Sequence, residues 1–192
     1  MKHITGDIIG IIILTIISLF ISFFLIRNNL VDLREEVEMQ QSQVETNLQR
    51  RSDLIPNLVV TIKGYVAHEN EVFTSIAEAR TKLAESINNG NVSDINEANC
   101  SLNSALNRLI AIAEDYPELK ASEQFIALQD ELAGTENRIS VARQYYNEKV
   151  KDYNSTVQKF PTSIVASISG FYPMDYFEAD DGAYEVPQVS FD

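Results

Sequence analysis

One stretch of the chain limits its possible folds more than any other, because its apolar residues recur at alternating steps of three and four. The stretch runs from Ser122 to Phe160, and Pro161 follows it. The spaced positions are Phe125, Leu128, Leu132, Thr135, Ile139, Ala142, Tyr146, Lys149, Tyr153, Val157 and Phe160. This spacing predicts one helix over residues 123–160, with Ser122 as its cap and Pro161 as its stop. At about 38 residues it would be roughly 57 Å long, so it needs a long partner.

Composition and charge exclude several classes of protein. The chain has 192 residues, seven glycines, no tryptophan and a formal net charge of −13. Nucleic-acid affinity comes largely from basic side chains that neutralise phosphates, so nucleic acid is not an expected partner. A single cysteine, Cys100, cannot form an intrachain disulfide, and nothing therefore indicates an oxidising compartment.

An uncharged apolar run near the N-terminus predicts a membrane anchor. Residues 8–26 can cross a hydrocarbon core of about 30 Å as a helix, after a short segment of residues 1–7. A cleaved signal peptide is the competing interpretation, but the run is longer than usual and no small-x-small site precedes Arg27. We predict a single-pass protein of the cell (cytoplasmic) membrane. Lys2 before the run, against Arg27 and Arg34 after it, favours a cytoplasmic body by one charge.

A second helical stripe follows the anchor and predicts a helix over residues 30–87. Its positions are Val44, Leu48, Arg51, Ile55, Leu58, Ile62, Tyr65, Glu69, Val72, Ile76, Arg80, Leu83 and Ile87. Pro56 either kinks one long helix or lies in the first turn of a second helix capped by Asp53. The unbroken phase favours the kink. The polar part from Val31 to Gln49 is typical of a stalk, or of a surface that another chain completes.

A shorter helix is predicted over residues 94–113. The break Asn88–Asn91 precedes it, and Asp94 with Glu97 resembles a capping box. Such a helix covers only about 33 Å, less than its long neighbours. Apolar stripe would then remain uncovered within one chain, and we therefore expect a homo-oligomer.

The C-terminal part of the chain is predicted to contain one short helix and a tail. The helix spans residues 162–169 and ends at Gly170, which completes a helical bundle over residues 27–173. Residues 174–192 carry six acidic side chains and no basic one, so we predict a flexible tail. Tyr176 and Phe177 are the exception, since their rings can dock on the bundle.

Three segments of the chain resemble the LemA family of bacterial membrane proteins. They are Arg50–Glu69 (RRSDLIPNLVVTIKGYVAHE), Ala113–Pro161 and Gly170–Phe171, in the family's order and spacing. The resemblance implies an all-α fold, with an N-terminal transmembrane helix and a long antiparallel bundle of three long helices and a short C-terminal one. It implies no catalytic residue, cofactor or substrate. Relatives are tied to membrane organisation and often lie near membrane metalloproteases, which implies membrane or protease-associated partners.

No pattern in the sequence indicates catalysis. His68-Glu69 begins an HExxH motif, but its second histidine position is Val72, and the remaining histidine is His3. Cys100 has no neighbouring histidine and is expected to be a reduced, half-buried structural thiol. Neither GxxxxGK[ST] nor GxGxxG occurs. We therefore predict that the protein is not an enzyme and needs no metal or cofactor.

Eight residues are candidates for structural or interaction roles: Arg51, Pro56, Tyr146, Asn147, Tyr153, Asn154, Phe160 and Pro161. The two Tyr-Asn pairs lie seven residues apart, on one helix face. Phenol and carboxamide groups could bind a ligand, but we favour packing and interhelical hydrogen bonds. Arg51 lies on the apolar stripe, which favours an interhelical salt bridge over a phosphate or a partner's carboxylate.

Two functions follow from these observations. The favoured one is a self-assembling, membrane-anchored helical scaffold or adaptor. The alternative is a ligand-sensing domain with an interhelical pocket near Tyr146, Tyr153 and Arg143, which signals through the kink at Pro56.

Overall fold

The computed structural model describes residues 2–66 and 69–178, with side chains from residue 10 onward. Six α-helices occur within these ranges: α1 (Lys2–Lys63), α2 (Asn70–Asn89), α3 (Val92–Glu114), α4 (Pro117–Lys120), α5 (Glu123–Gln158) and α6 (Thr162–Ser169). The described ranges contain no strand. The predicted all-α class is therefore confirmed.

The apolar run and the start of the bundle belong to one helix. Helix α1 continues without a break from the apolar run through Leu30 and on through Pro56. It is the one helix in the described part of the chain that is long and apolar enough to cross a membrane. Its apolar side chains are exposed from Ile11 to Leu25 except for the half-buried Phe23, and Leu30 is the first that is fully buried. The alternative helix start at Asp53 is wrong, because α1 passes through it.

The prediction of one helix over residues 30–87 is wrong beyond Lys63, where α1 ends. The backbone N–H groups of the two residues after Gly64 both donate to the Ile62 carbonyl, at 2.9 and 3.0 Å, which closes the last turn. Helix α2 then begins at Asn70. The apolar spacing continues across the break, so the spacing alone does not indicate that the helix ends. Gly64 was the signal that the sequence offered.

Helix α3 starts earlier than predicted and has a different cap. The Asn91 side chain accepts a hydrogen bond from the backbone N–H of Asp94, at 3.2 Å. Glu97 instead forms an ion pair with Lys82 at 2.5 Å, so the predicted capping box of Asp94 and Glu97 is wrong. The preceding Gly90 has a φ of 69°, the left-handed conformation that closes α2 and that glycine adopts without strain.

The chain divides into two compact units, and each has its own core. Unit 1 comprises Met1–Gln40 and Asn147–Met174. Its buried apolar residues are Leu30, Val37, Val150, Tyr153, Val157, Val165, Ala166 and Phe171. An ion pair of 2.7 Å between Lys149 and Glu36 joins the α1 and α5 parts of this unit.

Unit 2 comprises Gln41–Tyr146 and Asp175–Asp192, of which the structure describes residues up to Glu178. Helices α2 and α3 pack against each other in this unit. Its largest fully buried apolar residues are Leu48, Ile55, Leu58, Ile62, Ile76, Leu83, Ile95, Leu102 and Leu109, together with Tyr146.

The stretch from Val31 to Gln49 is not an uncovered stalk. Val37 is fully buried in unit 1, and Val44 and Leu48 are fully buried in unit 2, in each case by this chain alone. Leu30, Val37 and Val44 are spaced by seven residues, the spacing of a narrow coiled-coil seam. The argument from helix length for a homo-oligomer therefore fails for this stripe.

Helix α5 ends at Gln158, two residues before its predicted end. Phe160 is 81% exposed, so its place on the buried stripe is wrong. The Phe160–Pro161 peptide bond is cis, and Pro161 directly precedes α6, which has the predicted bounds.

The predicted tail is held by the protein where the structure describes it. Residues 174–178 have no regular secondary structure. Phe177 is buried in unit 2, which confirms its docking, whereas Tyr176 is exposed. The rest of the predicted flexible tail lies outside the described residues.

Candidate functional site: a buried arginine beside a cleft

A buried charge is the most unusual feature of unit 2. Arg51 lies on α1 in the same row as Leu48 and Ile55, and it is 2% exposed. Taking a guanidinium out of water costs several kcal/mol unless hydrogen bonds and an opposite charge compensate. Arg51 therefore needs partners from the facing helices.

Three side chains supply those partners. Arg51 donates to the carboxylate of Glu136 on α5 and to the amide oxygens of Asn99 and Asn103 on α3. The bond from Nη1 to Asn103 Oδ1 is 2.8 Å long. The predicted interhelical salt bridge of Arg51 is thus present. These four residues, here called the Arg51 cluster, connect α1, α3 and α5.

Sequence reasoning missed the two asparagines. Asn99 is fully buried. It falls between Ile95 and Leu102 at helical steps of four and three, so a polar residue inside an apolar stripe was the available signal. Its amide nitrogen has no hydrogen-bond partner in the described part of the chain. The Asn99 amide nitrogen is therefore an unused buried donor of the cluster.

A cleft of about 470 Å³ opens beside the Arg51 cluster. Its lining residues are Arg51, Asn103, Leu106, Asn107, Ile110, Gln129, Leu132, Ala133 and Glu136. Mostly apolar walls with a few convergent polar groups are typical of sites that bind small organic molecules. The Arg51 charge at this cleft is paired with the Glu136 carboxylate, so an anionic molecule that bound here would compete with that carboxylate.

Tyr146 of the first Tyr-Asn pair is covered by the C-terminal segment. Its hydroxyl donates to the Asp175 carbonyl at 2.9 Å, and its ring meets the Phe177 ring edge to face, with centroids 4.9 Å apart. Burial, with smaller contributions from Asp175 and Glu45, raises the Tyr146 pKa to about 12. The Arg143 guanidinium also lies over the Phe177 ring, 5.4 Å from its centroid. The chain's own C-terminal segment therefore packs against this tyrosine, and the interhelical pocket near Tyr146, Tyr153 and Arg143 stays a prediction.

The second Tyr-Asn pair is also occupied by the chain itself, within unit 1. Asn154 Nδ2 donates to the Met174 carbonyl, and the Met174 N–H donates to Asn154 Oδ1, both at 2.8 Å. Tyr153 is buried, and this burial raises its pKa, an effect that nearby Arg34 opposes. Asn154 therefore fixes a backbone segment rather than a second helix. Asn147, of the first pair, is half-buried.

The remaining candidates are not part of the Arg51 cluster. Pro56 is half-buried inside α1, and Cys100 is half-buried on α3, as predicted for that thiol. Among the described side chains, no group of three or more His, Cys, Asp or Glu residues could hold a metal ion. His68 lies outside the described residues.

These features define an all-helical protein with a long apolar N-terminal helix and a cleft between packed helices. Comparison with known sequences narrows the class. The LemA family profile matches residues 40–191, and the chain belongs to the LemA family.

Characterised relatives carry two kinds of name. The chain is similar to magnetosome protein MamQ 2 of Paramagnetospirillum magneticum, with 26% identity over 213 aligned residues that cover 96% of this chain and 78% of that protein. It is similar to magnetosome protein MamQ of Magnetospirillum gryphiswaldense, at 25% identity covering 94% and 76%. Protein LemA of Metamycoplasma hominis is 26% identical, covering 81% and 70%. The MamQ matches extend into the N-terminal helix ahead of the profile match.

Proposed function

We propose that this protein is a non-enzymatic, membrane-anchored helical scaffold whose partners are membrane or protease-associated proteins. The observation that carries the proposal is the continuity of α1, which passes from an exposed apolar run into the buried core without a break. Such a helix transmits the position and tilt of the anchor directly to the bundle. The names of the magnetosome relatives support a role in the organisation of a cellular structure.

Fractionation tests the anchor. The full chain is expected in the membrane pellet after alkaline extraction, and a chain that lacks residues 1–26 is expected in the supernatant. Recovery of the full chain in the supernatant would contradict the proposal. For the side of the membrane, a Val60→Cys, Cys100→Ser variant places one thiol at an exposed position. A cytoplasmic body predicts labelling by an impermeant maleimide only after the cells are permeabilised.

Self-assembly remains part of this proposal, on a different surface from the stripe between Val31 and Gln49. Val141 and Tyr145 are exposed one turn apart on α5, so they form an apolar pair on one face. In detergent, sizing of the full chain is expected to show an oligomer that Tyr145→Glu dissociates. Val60→Glu, at an isolated exposed valine, is the matched control and should leave the oligomer intact. A monomer at every concentration would contradict self-assembly.

A second candidate function is ligand sensing at the cleft beside the Arg51 cluster. The lining combines the guanidinium and amide groups with the apolar side chains of Leu106, Ile110 and Leu132, which match a small molecule with a carboxylate on an apolar body. Such a ligand would compete with Glu136 for Arg51 and so change the connection between α1 and α5.

Thermal-shift measurements with a series of medium-chain carboxylates test this candidate. Stabilisation that grows with chain length, increases in Glu136→Gln and disappears in Leu132→Asp would support it. A matched series of alcohols is the control for detergent-like effects. An equal response to acids and alcohols would contradict recognition by Arg51.

A further inference from the structure

The C-terminal helix α6 has one buried face and one exposed apolar face, both within unit 1. Val165 and Ala166 are buried, whereas Ile164 and Ile168 are exposed and lie one turn apart. No residue of α6 carries a charge. An eight-residue helix with an uncharged, isoleucine-bearing outer face is not a typical water-exposed surface.

Two exposed aromatic residues flank α6 in the chain. Phe160 directly precedes the proline before α6, and Tyr172 follows the turn at Gly170; both are largely exposed. Tyrosine is enriched where a protein meets the boundary between lipid headgroups and hydrocarbon, and phenylalanine is typical of the apolar side of interfacial segments. Phe160, Ile164, Ile168 and Tyr172 are here called the α6 face.

The register of unit 1 places the end of α5 level with the end of the apolar run. The Lys149–Glu36 ion pair fixes one level, and Tyr153 lies within electrostatic reach of Arg34, so α5 runs antiparallel to α1 in this unit. Gln158 lies nine residues beyond Lys149, and Arg27 lies nine residues before Glu36, which is about 14 Å along each helix. The α6 face therefore begins at the level where the uncharged run gives way to Arg27.

Charges at this level complement a lipid headgroup region. Arg27 and Lys159 are both exposed, and Lys159 directly follows the end of α5 that the register places level with Arg27. Basic side chains at this depth keep their charged ends in the headgroup region while their stems cover apolar surface. The chain thus presents exposed apolar residues and two basic residues together, where a membrane surface would lie.

We infer that the α6 face is an interfacial membrane-docking surface, which lies in the headgroup region beside the emerging α1 helix. The occupant is the lipid bilayer itself, since the face is continuous in level with the apolar run and carries the residue types that this depth accommodates. The inference rests on the proposed membrane anchor. A second contact with the bilayer would prevent free rotation and tilt of the long α1 helix.

Single-tryptophan fluorescence tests the inference, because the chain contains no tryptophan. The full chain is reconstituted into phosphatidylcholine vesicles with or without brominated acyl chains, which quench tryptophans in contact with lipid. Ile168→Trp reports on the α6 face and Val60→Trp is the matched control, since both residues are 71% exposed. Phe20→Trp reports on the apolar run. Circular dichroism checks that each variant is folded.

We expect brominated lipid to remove about half of the emission of Ile168→Trp and a similar share of the emission of Phe20→Trp. The emission of Val60→Trp should change little. Quenching of Phe20→Trp without quenching of Ile168→Trp would overturn the inference and leave the anchor intact. A blue-shifted Ile168→Trp that brominated lipid does not quench would show that protein covers the face, which also overturns it. Quenching at neither position would overturn the anchor and the docking surface together.

Discussion

The two units bury polar side chains in different ways. In unit 2, the Arg51 cluster places a full charge between three helices, compensates it with one carboxylate and two amides, and leaves a cleft beside it. In unit 1, Asn154 is neutral, and both ends of its amide bond to the backbone of Met174. The first arrangement depends on charge and on several helices, whereas the second depends on two hydrogen bonds to one residue.

This difference distinguishes a candidate binding site, the Arg51 cluster, from a purely structural contact, the Asn154 hydrogen bonds. A buried ion pair is often no more stable than apolar residues of similar volume, so stability alone does not account for Arg51. The Asn154 bonds are sufficient to hold a chain segment against α5. The comparison therefore indicates that the Arg51 cluster is the place where binding or switching is to be sought.

Removal of the buried charge should have the largest effect. Arg51→Ala removes a large buried side chain and leaves the fully buried Asn99 oxygen without its donor, and it is expected to lower the free energy of unfolding by about 2–5 kcal/mol. Urea unfolding of the detergent-solubilised chain, followed by circular dichroism, measures this change. The double variant Arg51→Met, Glu136→Met, compared with its two single variants, is expected to lose less stability than their sum, with a coupling of about 0.5–3 kcal/mol. Strictly additive losses would show that the two residues do not act as a cluster.

The pH dependence of the free energy of unfolding at high pH tests the burial of the neutral Tyr146 hydroxyl, in contrast to the buried charge of Arg51. Burial raises the Tyr146 pKa from 10.0 to about 12, so between these pH values the unfolded chain loses a proton that the folded chain keeps. Stability is therefore unaffected well below pH 10 and falls as pH rises toward 12, by up to about 2–3 kcal/mol from this residue. Tyr146→Phe should show a shallower fall over the same window. An identical slope in both proteins would contradict the proposed burial.

Loss of the amide in unit 1 should have a smaller effect than loss of Arg51. Asn154→Ala removes the partners of the Met174 N–H and carbonyl groups, and it is expected to cost about 1–3 kcal/mol. Hydrogen exchange at the Met174 amide should accelerate at the same time, since its acceptor is gone. Asn137→Ala, at an exposed asparagine of α5, is the matched control and should change stability by less than about 0.5 kcal/mol. A loss as large as that of Arg51→Ala would remove the distinction between the two units.

The sequence predicts the helices well where spacing and stop signals agree. Gly90 and Pro161 mark real ends, and the bounds of α6 are those predicted. Prediction from the sequence fails where the apolar spacing continues across an irregular segment, as it does after Lys63. Periodicity indicates which face is buried, but not whether the backbone stays helical. Leu30 and Val37 show the opposite error, in which a narrow seam of one residue per heptad was too sparse to indicate burial.

The site was only partly predictable, for a related reason. Arg51 on an apolar stripe indicated a salt bridge, and the structure contains one. Its partners on α3 depend on which helix faces it, and helical spacing within a segment does not contain that information. The same holds for Asn154, whose partner is a backbone group in an irregular segment. Side-chain type showed that a partner was needed, and only the fold showed which one.

The smallest effect is expected at the arginine next to Arg51, and it sharpens the comparison most directly. The Arg50 side chain is 55% exposed and pairs with Glu131 at 2.5 Å. Solvent and salt screen such a pair, so Arg50→Ala should change stability by about 0–1 kcal/mol, and by less at high ionic strength. Unfolding in urea at low and at high salt measures both quantities. Because the two arginines differ by one position on the same helix, a loss at Arg50 equal to that at Arg51 would show that the charge matters irrespective of its burial.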